Sequence, residues 1–133
     1  MNKGDAISDP TESFYRRIYR TDKRYVDKRT GRILSRAFTP RPKDEGYISV
    51  DLCRLTTERR ALDNNPSKYI LGVIQNMDVL NLNLISIYDP LFFENDGVEN
   101  IAHCLIGKID FEDESVAGIL SRLASKIEIE ELE

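Results

Sequence analysis

The run Tyr69-Ile70-Leu71-Gly72-Val73-Ile74 constrains this chain most. It is continuously apolar but only of strand length, so both of its faces need cover, as expected of a central, buried β-strand. The segment Tyr47-Ile48-Ser49-Val50-Asp51-Leu52-Cys53 has a different pattern. Ile48, Val50 and Leu52 alternate with Tyr47, Ser49 and Asp51, the period of a strand with one buried face. Leu84-Ile85-Ser86-Ile87-Tyr88, ended by Asp89-Pro90, reads as another strand, and residues 102–109 as the last one.

Helices and turns fill the intervals. Asp9 as a cap, Pro10 at a first helical position and Glu12 three residues after the cap predict a helix over about 10–20. Phe14 and Ile18 then share one face, Tyr15 and Tyr19 another, and Arg16, Arg17 and Arg20 form a solvated cationic surface. Lys28-Arg29-Thr30-Gly31 predicts a turn between strands at 24–27 and 32–38, because glycine takes positive φ at no steric cost. Thr39-Pro40-Arg41-Pro42 must be irregular extended chain, and Lys43-Asp44-Glu45-Gly46 a second turn. A threonine-capped short helix is expected at 56–62, a helical turn at 76–82 and a polar loop at 94–100. Val116, Ile119, Leu120, Leu123 and Ile127 recur at helical spacing behind Asp113, which predicts a C-terminal helix and then an acidic tail.

These elements define an α+β protein: a mainly antiparallel sheet of four to six strands with helices packed on one face. At 133 residues and without a repeat or low-complexity linker, the chain is expected to form a single domain over 1–133. A chain this long buries roughly two-thirds of its unfolded surface and needs no prosthetic group or cofactor to fold. No window approaches the roughly 18 apolar residues of a membrane span, and the first residues lack a secretory apolar core, which points to a cytoplasmic protein that binds no membrane.

Charge separates the chain into two regions. Residues 14–60 hold 14 Lys/Arg against 6 Asp/Glu, a net +8, whereas residues 61–133 hold 4 against 14, a net −10. Such polarity suits a basic part facing a phosphate-rich ligand, or two parts neutralising each other within the fold or between protomers of a homo-oligomer. The net charge of −4 and a pI near 5.1 argue against a dedicated duplex nucleic-acid binder and favour a protein partner.

Cysteine and histidine offer little chemistry by number. Cys53 and Cys104 sit in apolar strand patterns and read as packing thiols, and there is no CxxC. His103 is the only imidazole, so no metal site is expected. In an enzyme, His103 would be the acid or base, oriented by Asp51 or Asp89, with arginines holding RNA or a nucleotide. In the alternative reading, it is a hydrogen-bonded structural residue. A ribosyl-transfer set of Arg36, Ser49 and Glu128 or Glu130 is assembled only from common residues. No GxGxxG, Walker loop, GxSxG or HExxH occurs.

The most individual segment is Arg36-Ala37-Phe38-Thr39-Pro40-Arg41-Pro42-Lys43-Asp44-Glu45-Gly46-Tyr47-Ile48-Ser49-Val50-Asp51. Its prolines restrict the chain and hold Arg36 and Arg41 near the start of the following strand, a geometry suited to clamping an anion. Arg36, Arg41, Ser49 and Asp51 are therefore the candidate partner- or anion-binding residues. The competing reading is surface ion pairing among Arg41, Lys43, Asp44 and Glu45.

The segment resembles the core of a group of small uncharacterised bacterial single-domain proteins. Asp89-Pro90 and Ala102-His103-x-x-Ile106-Gly107 match their spacing, so the resemblance spans about residues 24–110. It implies a discrete family with an accessory or partner-bound role and carries no catalytic signature. The functional expectation is a non-catalytic interaction subunit, immunity-like or accessory; the alternatives are a small enzyme acting on RNA or a nucleotide through His103, and a nucleic-acid binder.

Overall fold

The computed structural model describes residues 1–92, 99–110 and 112–129. Its main feature is a six-stranded antiparallel sheet built from β1 (Ser13–Tyr19), β2 (Ile48–Leu52), β3 (Tyr69–Gln75), β4 (Ile85–Tyr88), β7 (His103–Gly107) and β8 (Ser125–Ile127), in the order β4-β7-β2-β1-β3-β8. A separate two-stranded sheet pairs β5 (Leu91–Phe92) with β6 (Glu99–Asn100). The helices are α1 (Glu58–Ala61), α2 (Asn76–Asn81) and α3 (Ser115–Leu123), with 3₁₀ turns at Ser35–Phe38, Pro42–Asp44 and Cys53–Leu55. The architecture is α+β, and among the described residues no helix is long and apolar enough to cross a membrane.

The segment expected as a helix over 10–20 is β1. Phe14 and Ile18 are four residues apart, which puts them on one face of a helix or a strand alike. The aromatic and β-branched content decides for the strand. Phe14, Arg16 and Ile18 line one face, and Tyr15, Arg17 and Tyr19 the other. Asp9 closes a local turn, its Oδ1 accepting from the Thr11 N–H at 2.9 Å and the Thr11 hydroxyl at 2.7 Å.

One apolar cluster on the Phe14 face runs from Ile7 to Leu120 and joins Phe14, Ile18, Ile70 and Ile74 to Phe38, Val79, Ala117 and Leu120. The Ser35–Phe38 turn, α2 and α3 thus cover that face. On the other, α1 contributes Ala61, and Leu62 follows it, to a smaller cluster with Tyr69 and Leu71. The run 69–74 is buried as expected, but it lies one place from the sheet edge because β8 adds outside it.

Local expectations fare according to how local their cause is. Thr57 caps α1 by accepting from the Arg60 N–H, and Asp63 and Asn64 stop it by taking positive φ. Gly31 and Gly46 also take positive φ at their turns. The strands expected at 24–27 and 32–38 reduce to one bridge, Val26 to Ile33, before the chain enters the Ser35–Phe38 turn. Residues 102–109 do not contain the last strand; the chain leaves α3 at Ala124 in extended conformation, and Ile127 belongs to β8, not to the helix. Asp113 still accepts from the Ser115 N–H at the helix start. Of the loop expected at 94–100, only Glu99 and Asn100 lie among the described residues.

The chain before Ser8 runs along β4. Gly4 N–H donates to the Tyr88 carbonyl, Ile7 N–H to Ser86, and Tyr88 N–H to Asp5. Asn76, fully buried, ties this segment down through Nδ2 to the carbonyls of Ile7 and Asp9, at 3.0 and 2.9 Å, while its Oδ1 accepts from Ser86 Oγ.

Candidate functional site

The site begins where the sheet splits. β1 pairs with β3 along its whole length, but with β2 only at Phe14↔Leu52 and Tyr15↔Asp51. Beyond Tyr15 the two strands part, and Ser49 gains no ladder partner on β1. The Arg16 side chain takes its place. Its Nη1 donates to the Ser49 carbonyl at 2.8 Å and its Nε to the Ala37 carbonyl at 3.1 Å.

Gly72 makes this possible. It stands opposite Arg16 in register, and the hollow above it admits the Phe38 ring, so close that a Cβ there would lie 3.1 Å from Phe38 Cζ. Phe38 brings Ala37 and its carbonyl down to the sheet. Burial pulls the Arg16 guanidinium down to about 10, which leaves it charged at neutral pH.

The parted strands open a cleft of about 390 Å³, in the size range of small-ligand sites. Arg16, Arg17, Arg36 and Arg41 all line it, against one carboxylate, Asp44. Tyr19, Tyr25 and Tyr47 contribute rings, Thr39 and Ser49 hydroxyls, and Ile48 and Leu105 apolar wall. The expected pair Arg36 and Arg41 does meet here, together with Ser49. The two arginines differ in state. Arg41 is clamped to Asp44, Nε to Oδ2 at 3.0 Å and Nη2 to Oδ1 at 3.2 Å, while the Arg41 N–H also donates to Oδ2. The Arg41 guanidinium holds the Asp44 carboxyl below the usual carboxylate range. Arg36 is exposed, and among the described residues neither it nor Arg17 or Arg16 forms a carboxylate pair. Arg17 lies over the Tyr69 ring, 5.0 Å from its centroid.

The remaining sequence candidates sit elsewhere. Asp51 lines a different, smaller hollow and accepts from Asn100 Nδ2 at 2.8 Å. His103 stands opposite Asp51 in register but is not part of the cleft lining. Its Nδ1 lies 2.8 Å from the Asp89 carbonyl oxygen and 3.2 Å from Asp89 Oδ2, and Asp89 N–H donates back to the His103 carbonyl. That arrangement braces the end of β4 against β7. Glu128 pairs with Arg20 and Lys126 at β8, away from the cleft lining; Glu130 lies outside the described residues. Cys53 and Cys104 are free thiols, and burial pushes Cys104 up to about 12.

Arg16 and Arg17 escape a helical reading of residues 10–20 because their roles depend on the strand period. The signal was present: with period two, Arg16 falls between Phe14 and Ile18 on the core face, where a lone charge demands partners. The opposite charge of the two regions is also little neutralised within the fold. Among the described residues, Arg20 with Glu128 is the only ion pair joining 14–60 to 61–133. The chain matches no family model, no curated protein and no solved structure.

Proposed function

We propose that this protein is a non-catalytic interaction subunit of the cytoplasm, immunity-like or accessory, that engages an acidic feature of another protein through the arginine cleft. The observation carrying this reading is the charge imbalance of the cleft: four arginines and one acidic residue, Asp44, line an opening of ligand size. Arginine forks match carboxylate and phosphate geometry, so a partner's anionic group gains both energy and orientation there. His103, turned to Asp89 outside the lining, supplies no acid or base to a group held in the cleft. The resemblance of residues 24–110 to small uncharacterised bacterial single-domain proteins, which implies an accessory or partner-bound role, belongs to the same reading.

The test is capture from native lysate by the tagged full chain, compared with an Arg17→Glu/Arg36→Glu variant. Both side chains are exposed and free of ion pairs among the described residues, so the variant should lose little more than the Arg17 contact over the Tyr69 ring, about 0.5–1 kcal/mol. A stoichiometric, nuclease-resistant protein partner lost from the variant is the expected result. A partner retained undiminished by the variant would refute the cleft as its docking site.

A further inference from the structure

An arginine drawn partly into a fold normally has a carboxylate beside it, because a charge moved out of water needs a partner. Arg16 has none among the described residues. Two of the five N–H donors of its guanidinium reach the Ala37 and Ser49 carbonyls, and the group forms part of the cleft lining. The charged and titratable neighbours that act on it are Tyr25, Asp44, Arg41 and Arg17. Asp44 is already spent on Arg41. The cleft therefore holds a positive charge without a carboxylate partner, with the exposed Arg36 also unpaired among the described residues, while the Arg17 guanidinium is turned to the Tyr69 ring.

Number and shape decide which anion. A carboxylate brings one charge and two oxygens, enough for a single guanidinium fork. Two guanidinium groups without a carboxylate, Arg16 and Arg36, exceed that. A phosphomonoester carries about −1.5 to −2 at neutral pH and three acceptor oxygens, which matches them. A cleft of about 390 Å³ also has far more room than one phosphate occupies, and its remaining walls are the Tyr25 and Tyr47 rings with Ile48 and Leu105. That space suits the side chain that carries the phosphate, an aromatic one best of all.

We infer that the cleft is a phosphomonoester site, with Arg16 and Arg36 as its clamp, and that it takes a phosphorylated side chain of the partner. This rests on the partner-docking reading above and narrows it. Arg41, held by Asp44, shapes the rim.

The experiment measures binding to the full chain of the peptide Gly-phosphotyrosine-Gly, of Gly-Tyr-Gly and Gly-Glu-Gly, of AMP and of inorganic phosphate, by calorimetry and by the ³¹P shift of the phosphorylated probes. The phosphopeptide should bind roughly tenfold or more tightly than every other probe, since each 1.4 kcal/mol of added contact is a factor of ten. Arg36→Gln, at an exposed position, should weaken it by about tenfold with an unchanged melting temperature, and Arg16→Lys, which keeps the charge but loses the fork, by at least as much. Equal binding of Gly-Glu-Gly would overturn the phosphate assignment while leaving a carboxylate-docking cleft. AMP binding more tightly than the phosphopeptide would overturn the phosphorylated side chain as its source. Phosphopeptide binding unaffected by both variants would overturn the location. No binding of any phosphorylated probe, alongside partner capture that still depends on Arg17 and Arg36, would overturn the inference and leave the docking reading standing.

Discussion

β1 has two unlike edges. Towards β3 it is closed over seven residue pairs, from Ser13↔Gln75 to Tyr19↔Tyr69, and the residues facing the main core there are Phe14, Ile18, Ile70 and Ile74. Towards β2 it closes over two pairs and then parts, leaving a gap bridged by one arginine side chain. One strand thus supplies the packing on one side and part of the cleft wall on the other. The difference shows how a sheet opens a cleft: it stops pairing early, the carbonyl left over takes a cation, and the connection between β1 and β2 supplies Arg36, Arg41 and Asp44 to the wall.

The largest expected effect lies at the closed edge. Ile70, 2% exposed, sits opposite Ile18, so Ile70→Ala should cost about 2–5 kcal/mol in denaturant unfolding. A loss below 1 kcal/mol would mean that this edge is not the packed side. Next comes the hollow between the two edges. Gly72→Val pushes its side chain against Phe38, itself fully buried, and should cost about 1–3 kcal/mol. It should also weaken phosphopeptide binding, since Phe38 positions the carbonyl that holds Arg16.

A smaller effect is expected at the mouth of the cleft. A Cβ at Gly107 would meet the Tyr47 ring at 2.1 Å, so Gly107→Ala must displace Tyr47, a half-buried cleft residue free to swing outward. Stability should fall by about 1 kcal/mol, the low end for overpacking, while the cleft changes shape and ligand affinity drops more than stability does. Calorimetry beside thermal unfolding separates the two. The smallest effect concerns the rim. Asp44 has a depressed carboxyl pKa in the fold, so its contribution to stability is present above the ordinary carboxylate value and is lost as pH falls through the lowered one. The unfolding midpoints of the native chain and Asp44→Asn should therefore differ slightly at neutral pH and converge in acid. A gap that widens in acid would contradict the Arg41–Asp44 clamp.

What the sequence made legible follows the same division between near and far causes. The alternation of Ile48, Val50 and Leu52, the apolar run 69–74, the Thr57 cap and the glycine turns are set by residues within a few positions, and each is found in place. β1 was hidden because spacings of four serve both periods, and Ile127 because helical spacing does not reveal that the backbone extends at Ala124. For the site, the proline-bounded segment pointed to Arg36, Arg41 and Ser49, which share the cleft. The arginine at its floor depends on two strands parting and on a glycine 56 positions away, which no local pattern encodes. The sequence offers His103 either Asp51 or Asp89 as its partner, and the turn geometry gives it Asp89.

The segment Gly4–Ile7 along β4 has a consequence for how this chain behaves in company. Its backbone bonds occupy an edge that would otherwise present open donors and acceptors to any extended peptide. At the opposite edge β8 is three residues long, too brief to template much. The protein is thereby protected against growing into ribbons with its own kind, and that protection hangs on its first few residues. Deleting residues 1–5, which spares the buried Ile7 and its bond to Asn76, should produce a solution whose light scattering rises with concentration while the interior of the sheet stays folded.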